Sequence, residues 1–273
     1  MSKIIDIKKA VEQIQNNSTI GFGGNTLNRA PMSFVREIVR QQKRNLHVIK
    51  TAGGMDVDML SLGGCATSVD AGFVSYETKY GLANNYRKAV QEGRIKANEH
   101  ACYTVISALR AASIGVSFMP VKGLVGSDLI EANDYFKEVV CPFTQNRYTT
   151  VKAIEPDVCV IHVQECDKHG NAKILGAKYD DVLMSRASKK VIIVTEQLVL
   201  ENKFKNDPTQ VDIPQLLVDE IVVSPQGAFP NACYKKYGVN DSNMKSYLNI
   251  RNLDDLTKYL KALEIRDYAG MRR

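Results

Sequence analysis

The sequence has 273 residues and a formal net charge of +6, and its 44% hydrophobic and 24% charged residues are ordinary for a globular chain. This composition excludes global disorder, and no apolar run is long enough to span a bilayer. Lys3, Lys8 and Lys9 interrupt the first ten residues, which argues against an export signal. We therefore expect one cytoplasmic domain over residues 1–273 with no membrane partner.

Positive charge is spread along the chain rather than gathered in a patch. The basic residues stand singly among acids, and the densest cluster is the pair Lys43-Arg44. This pattern favours a solvated surface over nucleic-acid binding, and the surplus also suits a small anionic ligand. The six cysteines lie far apart, without a C-x-x-C pair or a histidine at metal-ligand spacing, so we expect reduced thiols and no metal site.

Apolar strand-like runs alternate with amphipathic stretches, which is typical of βαβ units and a mostly parallel sheet. The periodicity predicts the following elements in chain order: helix 5–16, strand 19–24, helix 31–39, strand 46–49, a short helix around 57–60, strand 68–74, helices 82–92 and 102–112, strand 158–163, helix 180–188, strand 191–196 and helix 252–265. No linker separates two halves and no internal repeat is present.

Three glycine-rich turns, 21–24, 53–54 and 123–126, each follow an apolar run. In an open α/β sheet the carboxyl ends of the strands bind ligands, and glycine lets backbone N–H groups approach an anion or an oxyanion. Each turn alone is explained by ordinary turn chemistry, but with three on one parallel sheet a shared site is an equally good interpretation. The chain lacks a P-loop motif, a complete dinucleotide fingerprint and a nucleophile elbow, and His162 in a buried strand is best interpreted as a core histidine.

A hydroxyl and a carboxylate follow the strand 68–74, at Ser75 and Glu77. If the backbone stays extended through Tyr76, both side chains point to the same side and flank one pocket. A capping serine and a solvated glutamate are the alternative interpretation. The neighbouring glycine turns favour a functional role.

Five blocks of sequence together resemble the alpha subunits of the glutaconate and 3-oxoacid class of CoA transferases, which are class I coenzyme A transferases. The blocks are 72–78, 82–90, 109–120, 155–164 and 167–171. Their order and spacing carry the resemblance, which covers residues 3–224 and fades beyond Pro225. It implies an open, doubly wound α/β fold.

The resemblance also implies a ping-pong reaction that proceeds through a glutamyl-CoA thioester. In the family, the nucleophilic glutamate lies on the beta subunit, in an E-x-G turn. The similar turn here is Thr51-Ala52-Gly53-Gly54, which has no glutamate. We therefore expect a beta-subunit partner in an α2β2 assembly, no catalytic nucleophile in this chain, no permanently bound cofactor, and a coenzyme A thioester as substrate.

We predict that ten residues contact the substrate or coenzyme A: Gly23, Gly24, Asn25, Arg29, Gly53, Gly54, Ser75, Glu77, Gly123 and Gly126. Two other functions compete. A related branch cleaves cyclic CoA thioesters by hydrolysis and resembles this chain too, but it has an extra acid just after the position of Glu99, where His100 stands here. A sensor domain that binds acyl-CoA or a sugar phosphate normally carries a DNA-binding helix-turn-helix, which this chain lacks.

Overall fold

The computed structural model describes residues 2–272, in which strands form one large and one small sheet. The strands are β1 (Thr19–Phe22), β2 (Leu46–Gly53), β3 (Ala66–Val74), β4 (Lys96–Glu99), β5 (Phe118–Val121), β6 (Phe136–Val140), β7 (Arg147–Lys152), β8 (Val158–Asp167), β9 (Ala172–Lys173), β10 (Val191–Val199) and β11 (Glu220–Val223).

Helices connect these strands and cover both faces of the large sheet. They are α1 (Ile7–Glu12), α2 (Met32–Arg40), α3 (Met55–Leu62), α4 (Glu77–Tyr80), α5 (Asn84–Gln91), α6 (Cys102–Ser113), α7 (Leu129–Ala132), α8 (Asp181–Ala187), α9 (Asn202–Asn206), α10 (Asp241–Leu248) and α11 (Leu253–Asp267). No helix in the described part of the chain is long and apolar enough to cross a membrane.

The large sheet has the strand order β11-β10-β8-β1-β2-β3-β4, and every neighbouring pair in this order is parallel. The strand β9 adds to β8 in antiparallel direction. The chain runs outward in one direction from β1 to β4 and later returns to build the other half from β8. The predicted mostly parallel, doubly wound α/β fold is confirmed, and its topological switch point lies between β1 and β8.

Two hydrophobic cores lie on opposite faces of the large sheet. Val48 belongs to one core and Ile49 to the other, as the alternation of side chains along a strand requires. The central strands are buried on both faces, which explains why β8 and β10 begin with nearly continuous apolar runs.

A small antiparallel sheet of order β5-β7-β6 lies between β4 and β8 in the sequence, and our sequence analysis did not predict it. Its strands are short and expose large apolar side chains such as Phe118 and Val140. The third glycine-rich turn, 123–126, follows β5 and therefore belongs to this small sheet.

Candidate functional site

A buried ion pair lies near the topological switch point, where Arg29 contacts the backbone of β8. The Arg29 guanidinium lies 2.7 Å from the Asp181 carboxylate, and both side chains are at most 2% exposed. Arg29 also donates to the backbone carbonyls of His162 and Ala177, each at 2.8 Å. Among the described residues, these contacts commit Arg29 to the protein interior, at the position where a fold of this kind usually binds its ligand.

The first glycine turn is packed against the same ion pair. The Gly23 N–H donates to the Val160 carbonyl at 2.9 Å, and the Gly24 N–H donates to Asp181 Oδ1 at 2.7 Å. Gly24 has a φ of +76°, and a Cβ there would lie 2.5 Å from the Arg29 backbone. The Asn25 N–H is used within the turn. The close approach that glycine permits is thus made to protein atoms, and contact with coenzyme A stays a prediction.

Lys50 joins the first and second glycine turns. This lysine is buried in β2, and its ammonium donates to the carbonyls of Phe22, Gly23 and Gly24 while lying 3.2 Å from Asp56 Oδ2. Carbonyls that face an ammonium cannot face a ligand. The carbonyl groups of the first turn are therefore held inward by a side chain that our sequence analysis missed.

The second glycine turn, Gly53-Gly54, is closed by Asp56. Asp56 Oδ1 accepts from the Gly54 N–H at 2.9 Å, and a Cβ on Gly54 would lie 3.0 Å from the Thr26 carbonyl. A Cβ on Gly53 would lie 2.8 Å from Val57. The sequence signal that could have identified the contact between the two turns is Lys50, a charged residue inside the apolar run of β2.

Asp180 adds another carboxyl group beneath the turns. It accepts a hydrogen bond of 2.5 Å from the Thr51 hydroxyl and is 5% exposed. Burial raises the pKa of Asp180 above its usual value, and the neighbouring Asp181 carboxylate raises it further. Of the three acids beneath the turns in the described structure, Asp180 is the one that forms no ion pair, since Arg29 pairs with Asp181 and Lys50 with Asp56.

The third turn differs from the first two because it is open. A Cβ on Gly123 or Gly126 would meet no atom within 4 Å. In the described structure, the N–H groups of both glycines have no protein acceptor. Of the predicted glycine turns, this one retains backbone donors that a ligand could use.

Ser75 and Glu77 lie beyond the end of β3, whose last residue is Val74. The Ser75 N–H donates to the Gly53 carbonyl at 3.0 Å, and its hydroxyl donates to the Gly81 carbonyl at 3.2 Å. Glu77 is exposed, has a φ of +60° and begins α4. Because the chain leaves the extended conformation here, the alternation that would place both side chains on one side does not apply.

A cavity of about 380 Å³ lies beside the last residues of β3. The edge strand β4 pairs with β3 only from Ser68 to Ala71, so Gly72 to Val74 have no strand on that side. The helix α5 lies across this gap. The cavity is lined by Ala71, Gly72, Phe73, Val74, Leu82, Ala83, Tyr86, Arg87, Val90, Gln91, Ala97, Asn98, Glu99, His100 and Leu129.

His100 lines this cavity, but both of its ring nitrogens are engaged elsewhere. Nε2 lies 3.2 Å from Asp70 Oδ1, and Nδ1 lies 3.1 Å from the Thr104 hydroxyl. Burial favours the neutral acid at Asp70, but hydrogen bonds from His100 and His47 outweigh it, so the pKa of Asp70 lies below its usual value. His100 is therefore a positioned hydrogen-bonding residue rather than a free base.

A second buried group surrounds His162. Donor atoms of His162, Glu196 and Cys233 lie within 4.8 Å of one another, an arrangement that sequence spacing did not reveal. The Glu196 carboxylate already accepts hydrogen bonds from His162 Nε2 at 2.9 Å, from the Tyr237 hydroxyl and from the Gln226 N–H at 2.7 Å. These hydrogen bonds account for the group as a buried polar network that joins β8 and β10 to the loop 225–237.

The comparison with known sequences gives a consistent set of relatives. The coenzyme A transferase family model matches residues 4–224. A glutaconate CoA-transferase subunit from Acidaminococcus fermentans is 28% identical, over 98% of this chain and 90% of its own length. The cholesterol ring-cleaving hydrolase IpdA subunit from Rhodococcus jostii is 29% identical, over 90% of this chain and 86% of its own length.

Solved structures resemble this chain over almost its whole length. A variant of the decarboxylase AibA/AibB superimposes with a TM-score of 0.88 at 28% identity, covering 97% of this chain and 100% of that chain. Glutaconate coenzyme A-transferase from Acidaminococcus fermentans superimposes with a TM-score of 0.86 at 26% identity, covering 97% and 94%. These solved structures are named for two different reactions, and the sequence relative from Rhodococcus jostii is named for a third.

Proposed function

Because this chain belongs to the coenzyme A transferase family, we propose that it is the alpha subunit of a heteromeric enzyme that moves coenzyme A from an acyl-CoA to a short-chain carboxylate. The resemblance found in the sequence is confirmed at the level of the family. The two-subunit mechanism and the acyl groups are our proposal.

The observation that carries the proposal is the chemistry of the turn after β2. This turn holds Gly53 and Gly54 and no glutamate, and the acids around it, Asp56 and Asp180, are buried and hydrogen-bonded to the protein. Burial and these hydrogen bonds withdraw both carboxyl groups from a substrate thioester. A glutamate from the partner beta subunit would supply the nucleophile.

The proposed reaction proceeds by two exchanges at that glutamate. Its carboxylate attacks the thioester carbonyl and expels coenzyme A thiolate, which leaves an acyl-glutamyl anhydride. The thiolate then attacks the glutamyl carbonyl, forms the enzyme thioester and releases the first acid. A second carboxylate repeats these steps in reverse and leaves as its coenzyme A thioester.

This chain would contribute the walls of the site and donors for the developing oxyanion. The packed first and second turns form a rigid surface at the carboxyl ends of β1 and β2. The free N–H groups of Gly123 and Gly126 are suited to a negatively charged oxygen. The cavity beside β3 offers space for the acyl group.

The test compares the purified chain alone with the chain co-expressed with its beta subunit. We expect transfer from acetyl-CoA to a second carboxylate in the complex and none with the isolated chain. Replacing the partner's nucleophilic glutamate by alanine should abolish transfer in an intact complex. Robust turnover by the isolated chain would refute the proposal.

Ring-cleaving hydrolysis and decarboxylation are the competing activities, because relatives named for them resemble this chain about as well. Assays of the same complex with an acyl-CoA and an acceptor acid, with a cyclic CoA thioester, and with an acyl-CoA that carries a free carboxylate separate the three reactions. A transferase conserves the thioester, a hydrolase opens a ring with uptake of water, and a decarboxylase releases carbon dioxide. Carbon dioxide release without an acceptor acid would favour the decarboxylase.

A further inference from the structure

We propose that Asp70 is a positioning residue: through His100 and Tyr135 it holds the small sheet, and with it the third glycine turn, against the large sheet. The inference deepens the proposed function and rests on it, because the third turn supplies N–H donors for the developing oxyanion. Our sequence analysis gave no role to Asp70, which lies in the middle of β3.

The Asp70 carboxylate is a buried point at which several elements meet. Its side chain is fully buried, and it is hydrogen-bonded to His47 on β2, to His100 Nε2 at 3.2 Å and to the Tyr135 hydroxyl at 3.4 Å. Burial alone would raise the pKa of this carboxyl, but the hydrogen bonds from His100 and His47 outweigh burial and keep it ionised. An ionised carboxylate accepts at both oxygens, so it can serve three donors from different directions.

His100 connects this fixed point to the small sheet. Its ring packs edge-on against the rings of Tyr135 and Phe136, with the ring centroids 5.3 Å apart in each case. Its Nδ1 lies 3.1 Å from the Thr104 hydroxyl on α6, so the ring cannot turn without losing hydrogen bonds at both nitrogens. Phe136 is the first residue of β6 and is 1% exposed. The orientation of His100 therefore helps to set where β6 begins.

The third turn lies in a loop, residues 122–132, that is held at both ends. Before the loop, β5 pairs with β7. After it, the Asn133 side chain donates to the Glu99 carbonyl of β4 at 2.7 Å, and the Tyr135 hydroxyl donates to Asp70 on β3. The second end of the loop is therefore attached to the large sheet by directional contacts, and Asp70 supplies the one on β3.

Apolar packing also joins the two sheets, but it does not define their relative position as closely. Val121, Phe136 and Val151 of the small sheet lie in the same core as Val105 and Leu109 of α6. Such contacts are non-directional, whereas an oxyanion donor has to lie about 2.7–3.1 Å from the oxygen that it stabilises. The hydrogen bonds of Asp70 restrict a slide of the small sheet that apolar packing would tolerate.

The kinetic experiment uses Asp70→Asn in the assembled enzyme. Asparagine keeps the shape, but its amide nitrogen would face a donor, so one side of the network is lost. Because oxyanion donors act chiefly in the transition state, we expect kcat to fall about tenfold while KM for the acyl-CoA stays within about twofold. Tyr135→Phe, which removes only the hydroxyl that contacts Asp70, should lower kcat by a smaller factor.

The matched control is Tyr148→Phe, which removes a hydroxyl from a half-buried residue of β7 in the same small sheet. It should leave kcat within about twofold of wild type. Equal losses of kcat in Asp70→Asn and Tyr148→Phe, or a higher KM with an unchanged kcat, would overturn the inference. If Asp70→Asn does not assemble, Tyr135→Phe carries the same comparison.

Hydrogen exchange of the assembled protein separates this inference from the proposed function, because it needs no turnover. We expect Asp70→Asn to accelerate exchange about tenfold or more in peptides that cover residues 122–137, and Tyr148→Phe to leave it unchanged. Peptides from β1 are the internal reference, and their unchanged exchange would verify that the variant is folded.

The two measurements give distinguishable failures. If exchange accelerates as expected but the wild-type complex transfers no coenzyme A, the transferase proposal fails and the positioning of the segment by Asp70 stands. If transfer occurs and Asp70→Asn changes neither exchange nor kcat, the role of Asp70 fails and the transferase proposal stands. Faster exchange with an unchanged kcat in an active enzyme would also overturn the inference, because the position of the turn would then not affect the reaction.

Discussion

Lys50 and Arg29 place two positive charges in the interior, directly beneath turns that the sequence suggested would face a ligand. Each charge is retained because a carboxylate and two or three backbone carbonyls surround it. A buried charge without such partners would cost several kcal/mol. The pairing of Arg29 with Asp181 joins residues far apart in the sequence, so local patterns could not reveal it.

Gly24 and Gly126 allow backbone strain and steric collision to be separated. Their φ angles are +76° and +78°, but a Cβ would collide with the Arg29 backbone at Gly24 and meet nothing at Gly126. We expect Gly126→Ala to lower the free energy of unfolding by about 1–2 kcal/mol from backbone strain alone. Gly24→Ala should cost about 3 kcal/mol or more, because overpacking is added. Urea denaturation of both variants measures the difference, and equal losses would contradict it.

Asp180 should make stability depend on pH in a defined direction. Its pKa is raised in the folded protein by burial and by Asp181, so the folded state binds more protons than the unfolded state. The free energy of unfolding therefore falls as pH rises from about 3.9, the pKa of this carboxyl in the unfolded state, toward its raised pKa in the folded state. Asp180→Asn keeps an acceptor for Thr51 but removes this dependence.

The measurement is urea denaturation of wild type and Asp180→Asn between pH 4 and pH 8. We expect the stability of Asp180→Asn relative to wild type to increase with pH across this interval. Asp134→Asn, at an exposed acid, serves as the control and should show a nearly constant difference. A relative stability of Asp180→Asn that decreases with pH would show that the charged carboxylate is the favoured form.

At the scale of elements, the long buried strands and the amphipathic helices were predictable from sequence. β8 and β10 were identified because their apolar runs are continuous, and α11 because its leucines recur at helical spacing. In the structure both strands continue beyond their predicted ends. The sequence did not indicate these extensions, because the additional residues alternate or are polar. β4, with the sequence KANE, was missed because pairing with β3 rather than its own composition makes it a strand.

The candidate site could be predicted only in part from the sequence. Glycines at strand ends located the carboxyl edge of the sheet, and the structure places the first two turns side by side there. The cavity beside β3 was not predicted, because it arises where β4 stops pairing and α5 crosses the gap. Such a cavity depends on the register of the strands and the position of the helix, which the local pattern of residues does not specify.

At the scale of the whole molecule, a buried ion pair connects the C-terminal helix to the first half of the chain. Arg36 on α2 lies 2.5 Å from Asp267 at the end of α11, and both side chains are 0% exposed. Arg40 adds a second contact to the same carboxylate at 2.6 Å. The last helix is thereby held against the core beyond the region where the sequence resemblance ends.

Asp267→Asn tests how strongly this connection contributes to global stability. Removing one partner of a buried pair leaves the other charge poorly compensated, so we expect a loss of about 3 kcal/mol or more in the free energy of unfolding. Glu264→Gln, at an exposed acid one turn earlier, should change it by less than about 0.5 kcal/mol. Chemical denaturation checks both values, and similar small losses would mean that the pair is energetically neutral.

The central position of β1 has a consequence for the order of events during synthesis. On one side β1 pairs with β2, which emerges from the ribosome soon afterwards, but its other neighbour begins with the pairing of Ile20 to Val158. At about 5–20 residues per second, the intervening chain takes roughly 7–28 s to translate. During this time one edge of the strand that becomes the middle of the sheet is an unsatisfied row of hydrogen-bonding groups. The nascent chain is then most exposed to wrong pairing, so chaperones should matter more before β8 appears than after it.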